Sequence, residues 1–259
     1  EMLARIAEDR FGITMAGVGS ATIVQNVQVH NSSDDGIEIF GGTVNLSNIV
    51  LTGNDDDSFD VDTGWRGSVN TLFAVQRSAG GDHMLEFSSA GARTPATPPA
   101  TGFTLNTIPR ITNATLVSRS SSSPAMLLNT GNGLKLWNSV VHKLGGAGAC
   151  LDIDDADTVT AAPTFDSVFM SCPTSFATDA NQDAANASIF NGGANVTAAG
   201  ASTLATRTGG PTTPSTAVFV NGTNETTVVR IAPVNHAAAD SGLATGFFGA
   251  TPAIPSRLR

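Results

Sequence analysis

One pattern limits what this chain can fold into more than any other. Asp35-Gly36-Ile37-Glu38-Ile39 returns as Asp57-Ser58-Phe59-Asp60-Val61, 22 residues later. The same period recurs around that pair. Asn26 precedes Val27-Gln28-Val29, Asn48 precedes Ile49-Val50-Leu51 and Asn70 precedes Thr71-Leu72-Phe73, at intervals of 22 and 22. Asn113, Asn138 and Asp166 each precede a similar short strand, with gaps of 43, 25 and 28. The longest gap contains residues 90–109, a Pro-, Thr- and Ala-rich stretch without periodicity. It reads as a loop inserted into one repeat.

A second series of strands follows the first. It runs Gly12-Ile13-Thr14-Met15, Gly36-Ile37-Glu38-Ile39, Ser58-Phe59-Asp60-Val61, Met84-Leu85-Glu86-Phe87, Met126-Leu127-Leu128 and Cys150-Leu151-Asp152-Ile153. Apolar residues flank a centre that is usually polar, so the period of two sends the flanks inward and the centre outward. A unit of about 22 residues cannot bury its own apolar face, but a stack of such units can. The expected solution is the coil of a parallel β-helix, each coil about 4.8 Å above the last. Leucine-rich repeats have similar periods, but their Leu-x-x-Leu-x-Leu framework is missing. The Asn at each coil tolerates the left-handed backbone of a sharp turn, and stacked amides pass hydrogen bonds along the column.

Composition agrees and narrows the partners. Gly is 27, Tyr is 0 and charged residues are 14 %, which suits an all-β chain rich in turns. A net charge of -9 argues against nucleic acid and anionic membranes, which need a basic face. It permits a cation, a basic partner or a neutral sugar. No stretch approaches the ~18 apolar residues of a membrane span. Cys150 and Cys172 form no metal-ligand pattern, so zinc is not expected. Their separation of 22 suits neighbouring coils, although the two do not share a column. A disulfide between them would imply an oxidising compartment, and two buried thiols are the alternative. The chain opens at Glu1 without a leader, and a processed or shortened N-terminus is expected.

Residues 17–69 carry a resemblance. Val-Gln-Val-His-Asn-Ser-Ser-Asp-Asp-Gly (27–36), Phe-Gly-Gly-Thr-Val-Asn (40–45), Asp-Asp-Asp-Ser (55–58) and Gly-Trp-Arg-Gly (64–67) resemble a family of secreted proteins and lipoproteins, mostly of Gram-negative bacteria. The resemblance extends more weakly to about residue 176 and again at Gly246-Phe247-Phe248. It implies a pectate-lyase-like right-handed β-helix at the outer-membrane surface or outside the cell. It transfers no catalytic residues. Members of that family have further coils before this stretch and a Trp-containing tail after it, so the resemblance also implies shortening at both ends.

The acidic strand centres are the candidate site. Glu38, Asp60 and Glu86 stack in consecutive coils, Asp152 takes the same place later, and Leu128 is expected to interrupt the column. Like charges about 5 Å apart repel, so solvent, a cation or an Arg must compensate. Three uses follow. Asp35, Glu38, Asp57, Asp60 and Glu86 could hold Ca²⁺, a hard cation that takes oxygen ligands. The turn residues Asp34, Asp55, Asp56 and Asp62 could contribute, although no known Ca²⁺ loop motif is present. A polysaccharide lyase or glycosidase could set Glu38, Asp60 and Glu86 beside Arg66 or Arg77, with His83 as an acid–base group. A solvated surface His is the plainer reading of His83. Thirdly, the helix could be a non-catalytic binding or structural module for a polysaccharide or a cell-surface protein. Trp65 and Trp137 could stack on sugar, against the plainer reading that both are buried. His30 and His142 each follow a ladder Asn by four residues and lie too many coils apart to share a ligand. The Asn-x-Ser/Thr sequons match what chance provides in an Asn- and Thr-rich chain.

The expectation is a right-handed parallel β-helix over residues 1–176 with the 90–109 insertion. Residues 177–259 should form a last coil, loops and an irregular C-terminal cap. Within that cap, Ala217-Val218-Phe219-Val220 and Thr227-Val228-Val229-Arg230-Ile231 read as strands, and residues 242–248 as an apolar closure. The expected role is non-catalytic and outside the cell, with Ca²⁺ as the candidate ion and a lyase or glycosidase as the alternative.

Overall fold

A computed structural model describes residues 12–77, 80–89, 106–120, 122–144, 146–178, 183–193 and 195–199. Every sheet contact in it is parallel. The short strands β1 (Ile13–Ala16), β3 (Ile37–Phe40), β5 (Phe59–Asp62), β7 (Leu85–Phe87), β9 (Met126–Leu128) and β11 (Leu151–Ile153) stack into one sheet. The long strands β2 (Ile23–His30), β4 (Asn45–Thr52), β6 (Ser68–Val75), β8 (Arg110–Ser118), β10 (Lys135–Lys143), β12 (Thr164–Cys172) and β13 (Val196–Ala199) stack into the other. The chain alternates between sheets once per coil, which makes a parallel β-helix. The strands at 217–220 and 227–231 and the closure at 242–248 lie outside the described residues, as does most of the 90–109 insertion. Its last residues have rejoined the coil: Thr107 is buried, and the Ile108 N–H donates to the Trp65 carbonyl at 2.9 Å.

Registers follow the repeat. Ile37 pairs with Phe59, Phe59 with Leu85, Leu85 with Met126 and Met126 with Leu151. Their inward side chains meet those of the long sheet, among them Leu46, Ile49, Leu51, Val69, Leu72, Leu116 and Val141, in one continuous core. Removing this surface from water is the driving force that a single coil could not supply.

Six of the long strands, β2, β4, β6, β8, β10 and β12, each bend at one left-handed residue. These are Asn26, Asn48, Thr71, Asn113, Asn138 and Ser167, with φ between 47° and 65°. Two of them correct the expected column, because Thr71 and Ser167 stand where Asn70 and Asp166 were assigned. Register decides the matter: Ser47 pairs with Asn70 and Ile49 with Leu72, which puts Thr71 opposite Asn48. The amide ladder survives the change. Asn48 Nδ2 donates to Asn26 Oδ1 at 3.0 Å, and Asn113 Nδ2 reaches Asn70 Oδ1 at 3.0 Å.

Among the described residues, two helices interrupt the all-β reading. The helix α1 (Ala156–Ala161) sits between β11 and β12, and α2 (Asp183–Phe190) precedes β13. Asp155 caps α1, its side chain accepting the Thr158 N–H at 2.7 Å. This inserted turn of helix accounts for the long gap between Asn138 and Asp166. Cys150 and Cys172 are joined, with Cα atoms 5.7 Å apart. The turn after β12 brings them together, since the Cys150 N–H donates to the Thr174 carbonyl at 3.0 Å.

Candidate functional site

The acidic residues converge because the turns that lead into β3, β5 and β7 lie one above another. Asp35 Oδ1 accepts the Asp57 N–H at 2.9 Å, and Asp57 Oδ1 accepts the His83 N–H at 2.7 Å. A turn carboxylate in one coil thus binds the backbone of the next, which holds the column in register. His83 Nδ1 donates a second bond to Asp57 Oδ1 at 3.1 Å and lies 3.5 Å from Glu86 Oε2 and 3.6 Å from Asp82 Oδ2. The strand centres Thr14, Glu38, Asp60, Glu86, Leu127 and Asp152 form the adjoining column. The residue that interrupts it is therefore Leu127. Leu128 points into the core, because β9 begins one position earlier than the sequence pattern indicates.

The column is not a solvated wall. Glu38 is 2 % exposed and Asp152 8 %, while Asp60 and Glu86 are half-buried. Carboxylate oxygens or the imidazole approach within 4.8 Å in four overlapping groups: Asp35 with Glu38 and Asp60; Asp34 with Asp35 and Asp56; Asp56 with Asp57 and Asp82; and Asp57 with His83 and Glu86. All five candidate ligands named from the sequence lie in these groups. Asp34, Asp56, Asp82 and His83 join them. Asp62 does not: it is the last residue of β5, where its Oδ1 accepts the Thr63 N–H and the Ser88 hydroxyl.

The electrostatics follow from burial and crowding. Burial, then the charge of Asp57, pushes Asp35 up to about 9. Burial raises Asp57 to about 7 against the opposing pull of its bond to His83. Asp60 is raised well above the usual carboxylate range by burial and by Asp35, Asp57, Glu38 and Glu86. Asp56 is also raised, by burial and Asp82. Burial alone would lower His83, but the Asp57 and Glu86 carboxylates outweigh it and hold the imidazole cationic to about 10. His83 is thus a buried imidazolium, 6 % exposed, and the expected solvated His is overturned. Once Asp57 and Glu86 lie beside it, the charged form is the satisfied one.

The two arginines take different places. Arg77 forms an ion pair with Asp55 on the rim of the same turns. Arg66 lies beyond the opposite end of β5, where its Nε donates to the Asn106 carbonyl at 3.3 Å and its own carbonyl accepts from Arg110. Trp65 and Trp137 are both buried, and Trp65 Nε1 donates to the Val44 carbonyl at 3.1 Å. Neither offers a sugar platform. His30 and His142 are separated by β4, β6 and β8.

Sequence reasoning missed two braces behind the acidic turns. Gln76 is buried; its side-chain oxygen accepts the N–H groups of Arg119 and Ser120, and its amide donates to the Asp82 carbonyl at 3.0 Å. Lys143 is buried too, with Nζ 2.7 Å from the Ser120 carbonyl and 2.8 Å from that of Ser123. Burial lowers its pKa, and Asp82 opposes the shift. A terminal Lys on a strand ordinarily reads as a solvated end, so nothing local signals this role. Among the described residues, no helix is long and apolar enough to cross a membrane.

Comparison with known proteins agrees with the architecture. The family described as pectate-lyase like beta helix domain matches residues 4–224. No curated protein and no solved structure matches the chain.

Proposed function

The chain belongs to the pectate-lyase-like β-helix domain family, and from that premise we propose that it is an exported β-helix whose acidic face binds a cation without catalysis. Ca²⁺ fits the ligand chemistry best. One observation carries the reading: the oxygens of Asp35, Glu38 and Asp60 lie within 4.8 Å of one another in a partly buried setting. Three hard oxygen donors so placed repel one another until a proton or a cation joins them. Asp35 holds a proton up to about pH 9 when no ion is bound. A bound divalent cation would displace that proton, so affinity should rise with pH.

Supports for a place outside the cell are the Cys150–Cys172 bond and the acidic surface. The partners that suit such a wall are a polysaccharide or a protein of the cell surface. The alternative, a Ca²⁺-dependent lyase or a glycosidase, draws on Asp35, which keeps its proton at neutral pH and so has the form of a general acid. Three features weigh against it. His83 is held as a cation and cannot take a proton at neutral pH. Arg77 is paired with Asp55, and Arg66 lies at the other end of β5.

The test is the melting temperature with excess Ca²⁺ and then with EDTA at matched ionic strength. A Ca²⁺-dependent rise that is lost in Glu38→Gln and Asp60→Asn supports the reading, because a ligand that binds only the native state stabilises it. No shift at neutral or alkaline pH overturns it. Release of reducing ends or unsaturated products from extracellular polysaccharides would establish the alternative.

A further inference from the structure

The turn that leads into β7 supplies Asp82 and His83 to the acidic face, and it is held from both sides. From the preceding coil, the Asp55 and Asp56 carbonyls accept the Gly81 and Asp82 N–H groups at 2.9 and 3.1 Å, and Asp57 Oδ1 accepts the His83 N–H at 2.7 Å. From the other side comes Gln76, 2 % exposed, whose Nε2 donates to the Asp82 carbonyl at 3.0 Å. The approach is close: a Cβ at Gly81 would stand 3.2 Å from Gln76 Cγ and Nε2. The following coil fixes how this amide faces. Its Oε1 accepts the Arg119 and Ser120 N–H groups at 2.7 and 3.0 Å, so the nitrogen is the end turned to Asp82.

The series of hydrogen bonds continues into a third coil. The Ser120 carbonyl accepts from Lys143 Nζ at 2.7 Å, and the Ser123 carbonyl does so at 2.8 Å. Asp82, Gln76, Ser120 and Lys143 are thus linked without a break, and each bond in such a series polarises the next. Lys143 is 1 % exposed. A neutral donor would hold two carbonyls without the cost of burying an ammonium. A charged donor makes the stronger bonds. Its charge also acts on the acidic face: burial disfavours the ammonium, while the Asp82 carboxylate favours it.

We infer that Lys143 and Gln76 are positioning residues for the acidic face, setting from the following coils the turn that carries Asp82 and His83. The relay orders that turn whether or not an ion is bound. Its consequence for Ca²⁺ rests on the proposed cation site and runs through His83, which is bonded to Asp57 and lies 3.5 Å from Glu86. Loss of the ammonium charge alone would strengthen the binding of a nearby cation, because one repelling charge is gone. Loss of the turn's position would weaken it. The two effects have opposite signs, so the direction of the change separates them.

Hydrogen exchange of the full chain in EDTA, followed amide by amide, tests it in Lys143→Met and Gln76→Glu. Lys143→Met keeps the aliphatic stem and removes the charge and the donors. Gln76→Glu keeps an acceptor for Arg119 and Ser120 and loses the donor to Asp82. The amides of β4 report whether each variant is folded, and Gln76→Glu decides if Lys143→Met is not. In both variants the Gly81, Asp82 and His83 amides should exchange about 10-fold faster than in the unaltered chain, with β4 unchanged. In Gln76→Glu the Arg119 and Ser120 amides should stay protected, a pattern that general loosening does not give. The Ca²⁺ affinity of Lys143→Met, measured by calorimetry, should fall by roughly 10-fold. Faster exchange confined to residues 119–123 overturns the inference, because Lys143 then holds only its own turn. Faster exchange throughout both variants, β4 included, overturns it as well, since the role is then general stability. So does a Lys143→Met variant that binds Ca²⁺ as tightly as the unaltered chain or more tightly. If the unaltered chain binds no Ca²⁺, the cation reading falls, and exchange in EDTA still decides the relay.

Discussion

Two columns run along this helix, and both stack like on like. On the long sheet, Asn48 sits over Asn26; on the short sheet, Asp60 sits over Glu38. The first column satisfies itself where amides meet, because a carboxamide carries both donor and acceptor and can hand a hydrogen bond to its neighbour, as Asn48 does to Asn26. The second cannot. A carboxylate only accepts, so each one needs a backbone N–H, an imidazolium, a proton or an ion. The structure supplies the first two at Asp35, Asp57 and His83, and burial supplies the third by raising Asp35 to about 9. The same geometric repeat is thus passive in one column and chemically loaded in the other.

The largest break in that contrast should come from His83. Replacing it with Leu leaves Asp57 buried beside Glu86 without its counter-charge. Removing one partner of a buried pair costs roughly 3–5 kcal/mol, and denaturant unfolding at pH 7 would read it. A loss well under ~1 kcal/mol would mean that protons, not the imidazolium, neutralise the turns.

Next comes pH. His83 is raised from 6.5 to about 10 and Asp35 from 3.8 to about 9, so the folded chain holds more protons than the unfolded one between those values. The stability contributed by His83 is complete below pH 6.5 and is lost as pH rises through about 10. Ionisation of Asp35 and Asp57 adds loss in the same direction. In EDTA, the melting temperature should therefore fall from pH 6.5 towards pH 10, and Ca²⁺ should flatten the slope. A flat or rising profile would contradict the raised values.

A smaller effect converts one column into the other. Asn48→Asp keeps a residue that tolerates φ of 55° but removes the donor to Asn26. It should cost about 1 kcal/mol, with the loss easing at acid pH as the new carboxylate takes up a proton. Asn48→Ala should cost more, because Ala also strains at φ of 55°, and should show no pH dependence. The smallest effect should be Asp35→Asn. It retains an acceptor for the Asp57 N–H and replaces a group that is already neutral at pH 7. Stability there should change by less than ~0.5 kcal/mol, while part of the alkaline loss should disappear. A large loss at pH 7 would show that Asp35 is ionised in the native state.

Much of this was legible in the chain because it is periodic. A 22-residue interval and a period of two within each strand name the columns, the inward faces and the sheet type without a single contact being known. Three of the errors are of one kind. Asn70 and Asp166 were each assigned one position from the true bend at Thr71 and Ser167, and Leu128 one position from Leu127. Aligning by residue type favours Asn and a familiar spacing, whereas register is settled by the inter-coil hydrogen bonds. The inserted α1 also escaped notice, since six residues without a strong apolar stripe resemble a loop.

What the sequence determined by itself was the stack: repeated apolar pairs have no burial available except against copies of themselves. What only the tertiary structure decided was the state of the groups on that stack. Glu38 and Lys143 are ionisable residues at strand positions that read as exposed, yet both are buried. His83 reads as a surface imidazole, yet it is enclosed by Asp57, Glu86 and Asp82. Burial and charge state depend on neighbours that lie 22 to 26 residues away along the chain and a few ångströms away in space. Local pattern reports which face a side chain leaves from, but only the packed coils report what it meets there.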